Sequence, residues 1–124
     1  MNNTYYNFSQ PFTHTYSIVA RDESTGEMGV GVQSHWFSVG SAVPWGESGV
    51  GVVATQALCN VSFGLRGLEL LKAGMTPKEA LEQLLSTDEG KEGRQLAILD
   101  TQGNVAVYTG NNCIQAAGHK KGKN

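Results

Sequence analysis

The stretch TYSIVARDESTGEMGVGVQS (15–34) decides the fold, because it contains the complete pattern of a β-hairpin. TYSIVAR (15–21) is rich in β-branched and aromatic residues, DESTGE (22–27) supplies turn formers, and MGVGVQS (28–34) resumes the strand pattern. Glycine alternates with valine in the second strand, and glycines on one face of a strand allow another backbone to approach closely. The stretch therefore predicts a hairpin with at least one tightly packed face.

The residues that follow extend the β-rich pattern. Segments 37–43 and 49–55 are apolar runs, and we expect them to be strands joined by the turn PWGES (44–48). The second run, GVGVVAT, repeats the alternation of glycine and valine. Two such strands favour two sheets stacked face to face over a single sheet open to water.

Two helices are predicted next. Leucines recur at helical spacing within 63–73, and Gly74 stands where a left-handed residue commonly ends a helix. TPKE begins at Thr76 and matches a capping box with proline at the first helical position, which predicts a second helix over 77–86.

A second hairpin is predicted at 94–100 and 104–110, with Gly103 in the turn at a position that favours positive φ. The order of elements is strands, then two helices, then strands. This order indicates the α+β class, because a parallel sheet would alternate strands and helices.

Composition limits the function. The length of 124 residues predicts one domain, and the net charge of −2 predicts no nucleic-acid partner. The sequence has no secretory signal, which would combine a basic start with an apolar run, and no apolar run approaches the roughly 20 residues of a membrane-spanning helix. We therefore expect a cytoplasmic protein without a membrane partner. Cys59 and Cys113 have no metal-ligand spacing, and no phosphate-binding glycine motif follows a strand into a helix. We therefore expect no metal and no cofactor, and reduced thiols, with a disulfide between the two cysteines as the alternative.

Several motifs together resemble the opening of DUF1028 proteins, which are assigned to the N-terminal nucleophile (Ntn) hydrolase superfamily. The motifs are TYSIVARD (15–22), TGEMGVGVQS (25–34), FSVGSAVPW (37–45), GVGVVATQA (49–57), FGLRGLELL (63–71), RQLAILD (94–100) and TGNNCIQAAGH (109–119). The resemblance implies an αββα sandwich of two stacked antiparallel sheets, with 15–124 as its N-terminal part and 1–14 as an extension or leader. Family members usually continue beyond this length, which implies a sandwich that is incomplete in this chain. We accordingly expect a homo-oligomer, or association with a C-terminal part of the same protein.

The superfamily also implies a chemistry. Its mature chains begin with Thr, Ser or Cys, whose side chain attacks a carbonyl while its own α-amino group accepts the proton. Thr15 occupies that position by motif, so the resemblance implies hydrolysis of a small-molecule or peptide amide after removal of residues 1–14. Two alternatives remain open. Thr15 is a β-branched strand residue without a chemical role, or the chain is a non-catalytic binding or scaffold domain.

The supporting candidates are polar residues near strand ends. Ser34 and His35 end the second strand, where His35 would tune the amine or stabilise an oxyanion, or would simply be a surface histidine. We expect Thr55, Gln56 and Asn60 to contact substrate. Arg94 would also contact substrate or, as an equal alternative, would form a structural ion pair.

Overall fold

The computed structural model describes residues 14–122. The expected leader, residues 1–14, lies outside the described residues except for His14. The described elements are strands, α-helices and two short 3₁₀ helices. In chain order they are β1 (Tyr16–Arg21), β2 (Met28–Gln33), a 3₁₀ helix (Val39–Ser41), β3 (Pro44–Glu47), β4 (Gly51–Ala57), α1 (Ser62–Lys72), α2 (Pro77–Ser86), a 3₁₀ helix (Lys91–Gly93), β5 (Arg94–Asp100) and β6 (Val105–Thr109).

The strands form two antiparallel sheets, as the sequence predicts. One has the order β1-β2 and the other the order β3-β4-β5-β6. The β1–β2 sheet packs on one face of the larger sheet, and helices α1 and α2 pack on its opposite face. The described chain is therefore an α+β structure with three layers: helices, the four-stranded sheet and the two-stranded sheet.

The core lies between the helices and the four-stranded sheet. Phe63 of α1, Leu84 of α2, Val53 of β4 and Ile98 of β5 are all completely buried there. Burial of large apolar side chains is the main favourable contribution to folding, so this layer stabilises the larger sheet.

Both helices agree with the sequence prediction. Helix α2 begins with a full capping box, in which the Glu79 backbone N–H donates to the Thr76 hydroxyl and the Thr76 N–H donates to the Glu79 carboxylate. Gly74 has φ 91°, the left-handed value that favours glycine after a helix. Gly103, in the predicted second hairpin turn, has φ 85°.

The prediction for segment 37–48 was wrong. The expected strand at 37–43 contains the 3₁₀ helix Val39–Ser41, and the expected turn PWGES contributes the edge strand Pro44–Glu47. Proline has no N–H to donate, but it is accepted at the first residue of an edge strand. Trp45 then packs against the helix layer, and this tertiary contact outweighs the turn propensity of the local sequence.

The role expected for the glycines of β2 was also wrong for the described residues. Gly29 and Gly31 pair with Ala20 and Ile18 on the face of the β1–β2 sheet that points away from the larger sheet. No atom lies within 4 Å of a Cβ placed on Gly29. Close approach occurs at the helix layer instead, because a Cβ on Gly64 of α1 would lie 2.1 Å from the Trp45 ring.

The outer face of the β1–β2 sheet is apolar and exposed. Tyr16 is 65% and Ile18 64% exposed there. The second helical layer of an αββα sandwich would cover this face, and residues 14–122 contain no such layer. The described part therefore forms two sheets with helices on one side only.

Candidate functional site

The candidate site begins with two hydroxyl groups at one end of the β1–β2 sheet. Tyr16 pairs with Gln33, so the residues just beyond them, Thr15 and Ser34, lie opposite each other. The Thr15 and Ser34 hydroxyl oxygens are 2.7 Å apart, and either hydroxyl can be the donor. The Ser34 hydroxyl also accepts a hydrogen bond of 3.0 Å from the Trp36 backbone N–H. Hairpin register therefore brings together two residues that are 19 positions apart.

His35 follows Ser34 directly. Its side chain is exposed, so it lies at the rim of the same end of the sheet. Neither neighbouring aromatic is buried, since Trp36 is 72% and Phe37 94% exposed. The three residues that follow Ser34 along the chain are therefore an exposed histidine and two exposed aromatic residues.

The hydroxyl pair and the C-terminal end of β4 lie at the same end of the two stacked sheets. After Ser34 the chain passes through the 3₁₀ helix Val39–Ser41, which contacts β2, and then reaches the start of β3. There the Thr55 backbone N–H donates to the Val43 carbonyl at 3.1 Å. This short connection joins the end of β2 to the end of β4.

Gln56 is the polar residue of β4 that faces the other sheet. Successive strand residues point to opposite faces, and Val53 and Thr55 point to the helices, so Gln56 points toward the β1–β2 sheet. Its side chain is 5% exposed, and its Nε2 has no hydrogen-bond partner among the described residues. Buried amide groups are usually paired, so an unpaired one calls for an explanation.

Thr55 and Asn60, both expected to contact substrate, have internal partners. Thr55 is completely buried, and its hydroxyl donates to the Asn60 carbonyl at 3.1 Å. The Asn60 side-chain oxygen accepts from both the backbone N–H and the hydroxyl of Ser62 at the start of α1. Thr55 therefore lies in the core, because the alternation of side chains along β4 points it away from the space between the sheets. Asn60 instead binds the start of α1.

Arg94 forms the structural ion pair that was one of its two expected roles. Its Nε lies 2.8 Å from the Asp88 carboxylate, and its Nη1 donates to the Leu58 carbonyl. The hydrogen bond from Arg94 lowers the pKa of Asp88, while burial of the carboxyl opposes this shift. Arg94 thus connects the loop after β4 to the loop before β5.

A polar row that sequence reasoning did not single out extends from Gln56 across the larger sheet. Gln95 is the cross-strand neighbour of Gln56, and its Nε2 donates to the Thr109 hydroxyl at 3.2 Å and to the Gly118 carbonyl at 3.0 Å. The Thr109 hydroxyl lies 2.9 Å from His119 Nδ1. Only the strand register reveals this row, since its members are far apart in sequence.

Within residues 14–122, no three His, Cys, Asp or Glu side chains converge in a way that could hold a metal ion. In the same part of the chain, no helix is long and apolar enough to span a bilayer. Cys59 and Cys113 are free thiols, and burial raises the pKa of Cys59.

The chain is similar to members of one protein family. The model of a family described as "Family of unknown function (DUF1028)" matches residues 15–124. The crystal structure of protein SPO2555 from Silicibacter pomeroyi, assigned to the same family model, is similar with a TM-score of 0.80 and 34% sequence identity. The match covers 84% of this chain and 46% of that one, so this chain spans less than half the length of that relative. No curated protein matches the chain. The chain belongs to the DUF1028 family, whose function is not established.

Proposed function

We propose that the protein is an amide-bond hydrolase of the N-terminal nucleophile type, with Thr15 as nucleophile after cleavage of the His14–Thr15 bond. The observation that carries this proposal is the position of the Thr15 hydroxyl. Thr15 immediately precedes β1 and is the residue where the family match begins, and its hydroxyl lies 2.7 Å from the Ser34 hydroxyl. Its amide substrate would be a small molecule or a peptide.

The chemistry follows from a free amine on the nucleophile itself. A threonine hydroxyl is a weak nucleophile, and an α-amine with a pKa of about 8 is a suitable local base. In the uncut chain the Thr15 nitrogen is an amide, which cannot accept the proton. Cleavage at His14 would therefore create the base and activate the nucleophile in one step.

Ser34 is the positioning residue in this scheme. Its hydroxyl oxygen already accepts the Trp36 N–H, and its own proton can be donated to the Thr15 oxygen. As Thr15 gives its proton to the amine, the Ser34 hydroxyl becomes the donor that stabilises the developing negative charge. His35, at the rim, is proposed to tune the pKa of the Thr15 amine.

The first test is the intact mass of the full chain during expression and storage. We expect loss of residues 1–14 and a new N-terminal Thr15. A full-length mass that persists in the native host would rule out self-cleavage at this bond.

The second test measures acylation of the chain that begins at Thr15 by an alkyl β-lactone, read as a mass shift on the N-terminal peptide. Thr15→Ser should retain acylation, whereas Thr15→Val should abolish it, because valine keeps the β-branched shape without the hydroxyl. Equal labelling of the Thr15→Val protein would exclude Thr15 as nucleophile. His35→Ala should shift the pH profile of acylation, and an unchanged profile would remove His35 from the scheme.

A non-catalytic binding or scaffold role is the second candidate, and the exposed outer face of the β1–β2 sheet favours it. We propose that this face binds the polypeptide that corresponds to the rest of the longer relative. Exposed clusters of large apolar side chains are typical of interaction sites. Tyr16 and Ile18 supply such a cluster, and the chain matches only 46% of the relative's length.

This association can be tested with a defined partner, the part of the Silicibacter pomeroyi relative that lies outside the match. Co-expression followed by size-exclusion chromatography with light scattering should give a one-to-one complex. Ile18→Lys should abolish the complex. Leu65→Lys is the matched control, because Leu65 is 51% exposed on the opposite side of the larger sheet. A homodimer, or equal losses in both variants, would contradict the proposed occupant.

A further inference from the structure

The buried amide group of Gln56 is an unused hydrogen-bond donor. Gln56 is 5% exposed, and its Nε2 has no partner within residues 14–122. A donor removed from water without a partner destabilises the folded state. Such a group is retained most readily where a ligand supplies the missing acceptor.

The direction of this donor follows from the alternation of side chains along β4, in which neighbouring residues point to opposite faces. Thr55, the preceding residue, is turned to the helix side, where its hydroxyl donates to the Asn60 carbonyl. Gln56 therefore faces the β1–β2 sheet, and it does so at the strand end that the connection after Ser34 joins to β2. The amide donor and the Thr15–Ser34 hydroxyl pair thus belong to one end of the space between the sheets.

We propose that Gln56 Nε2 donates a hydrogen bond to the acyl oxygen of the substrate that Thr15 attacks, an inference that rests on the proposed function. The Thr15 oxygen forms a bond to the carbonyl carbon, the π electron pair moves to the acyl oxygen, and the hydroxyl proton passes to the Thr15 amine. When the carbonyl re-forms, the C–N bond breaks and the departing nitrogen takes that proton. Gln56 stabilises the negative acyl oxygen between these two events.

Gln95 offers a matched comparison. It is the cross-strand neighbour of Gln56 on the same face, but its Nε2 already donates to the Thr109 hydroxyl and to the Gly118 carbonyl. Its amide group is therefore used by the fold itself. The amide donor is thus engaged in Gln95 and unpaired in Gln56, which is also the more buried of the two.

The first experiment needs no substrate and uses the full chain. Gln56→Met should leave the thermal midpoint unchanged or raise it, because methionine has a similar shape and no hydrogen bond is lost. Gln95→Met should lower the midpoint, because two hydrogen bonds are lost. If Gln56→Met is as destabilising as Gln95→Met, Gln56 has a structural partner and the proposal fails.

The second experiment measures acylation of the chain beginning at Thr15 by an alkyl β-lactone. Gln56→Met should slow acylation by roughly 100- to 1,000-fold, the usual effect of removing one donor to an oxyanion. Gln95→Met should change the rate much less, provided that its melting curve shows folded protein at the assay temperature. Labelling of the unmodified protein together with an unchanged rate for Gln56→Met would overturn the Gln56 inference alone. Absence of labelling in the unmodified protein would overturn the proposed function, and the Gln56 inference with it.

Discussion

Replacing Gly64 by alanine should destabilise the protein, although alanine is the better helix former. Gly64 lies in α1, and a Cβ at this position would be 2.1 Å from Cγ of the Trp45 side chain. Carbon atoms in contact are normally about 3.5–4.0 Å apart, so the ring or the helix must move by roughly 1.5 Å.

The magnitude follows from three contributions. Overpacking of a core costs about 1–3 kcal/mol. Movement of the ring also breaks the hydrogen bond of 2.9 Å from Trp45 Nε1 to the Ala42 carbonyl, which is a further loss of about 1 kcal/mol. The helix propensity of alanine offsets about 1 kcal/mol. We therefore expect Gly64→Ala to lower the free energy of unfolding by about 1–3 kcal/mol, or the thermal midpoint by roughly 5–15 °C.

Thermal melts followed by circular dichroism provide the assay, with Gly29→Ala as the control. No atom lies within 4 Å of a Cβ at Gly29, and its φ is not in the left-handed region. Alanine should therefore be neutral there or stabilise by up to about 1 kcal/mol. A Gly64→Ala midpoint at or above that of the unmodified protein would refute the close contact between α1 and β3.

Three further changes test the electrostatics, the helix cap and the site. Asp88→Asn should reduce the loss of stability on acidification. Because Arg94 lowers the pKa of Asp88, the carboxylate stabilises the folded state above its unfolded pKa of about 3.9, and this stabilisation is lost as pH falls through the lower folded pKa. Thermal midpoints that fall equally between pH 6 and pH 2 in both proteins would contradict this. Thr76→Ala should cost about 1 kcal/mol in urea unfolding, because the capping box at the start of α2 is lost, and an unchanged midpoint would show that the cap does not contribute. Ser34→Ala should slow β-lactone acylation of Thr15 about tenfold, the equivalent of one hydrogen bond, and an unchanged rate would remove Ser34 as a positioning residue.

Much of the fold could be predicted, because its signals are local. The capping box at Thr76, the left-handed glycine at 74 and the turn glycine at 103 each depend on a few neighbouring residues. The prediction for segment 44–48 was wrong because proline and glycine, which favour turns, here lie in an edge strand whose Trp45 packs on the helices. That contact joins residues far apart in the chain, so no short window of sequence contains it.

The candidate site divides in the same way. Thr15 and Ser34 could be paired in advance, because each lies seven residues from the predicted turn 22–27 and an in-register hairpin places them opposite each other. Thr55 and Gln56 are adjacent polar residues in an apolar strand, and nothing local decides which of them enters the core. Packing of β4 between the helices and the β1–β2 sheet decides it, since neighbouring strand residues must point to opposite faces.

Local sequence chemistry thus determined the first and last hairpins, the helix ends and the position of Thr15 just before the first strand. Only the tertiary structure decided that Thr55 is buried, that Arg94 is an ion-pair partner of Asp88, and that Gln56 keeps an unpaired amide group facing the other sheet. The physical reason is that turns and caps are satisfied by residues a few positions away. The burial and pairing of a strand side chain depend instead on the elements that the whole chain brings against it.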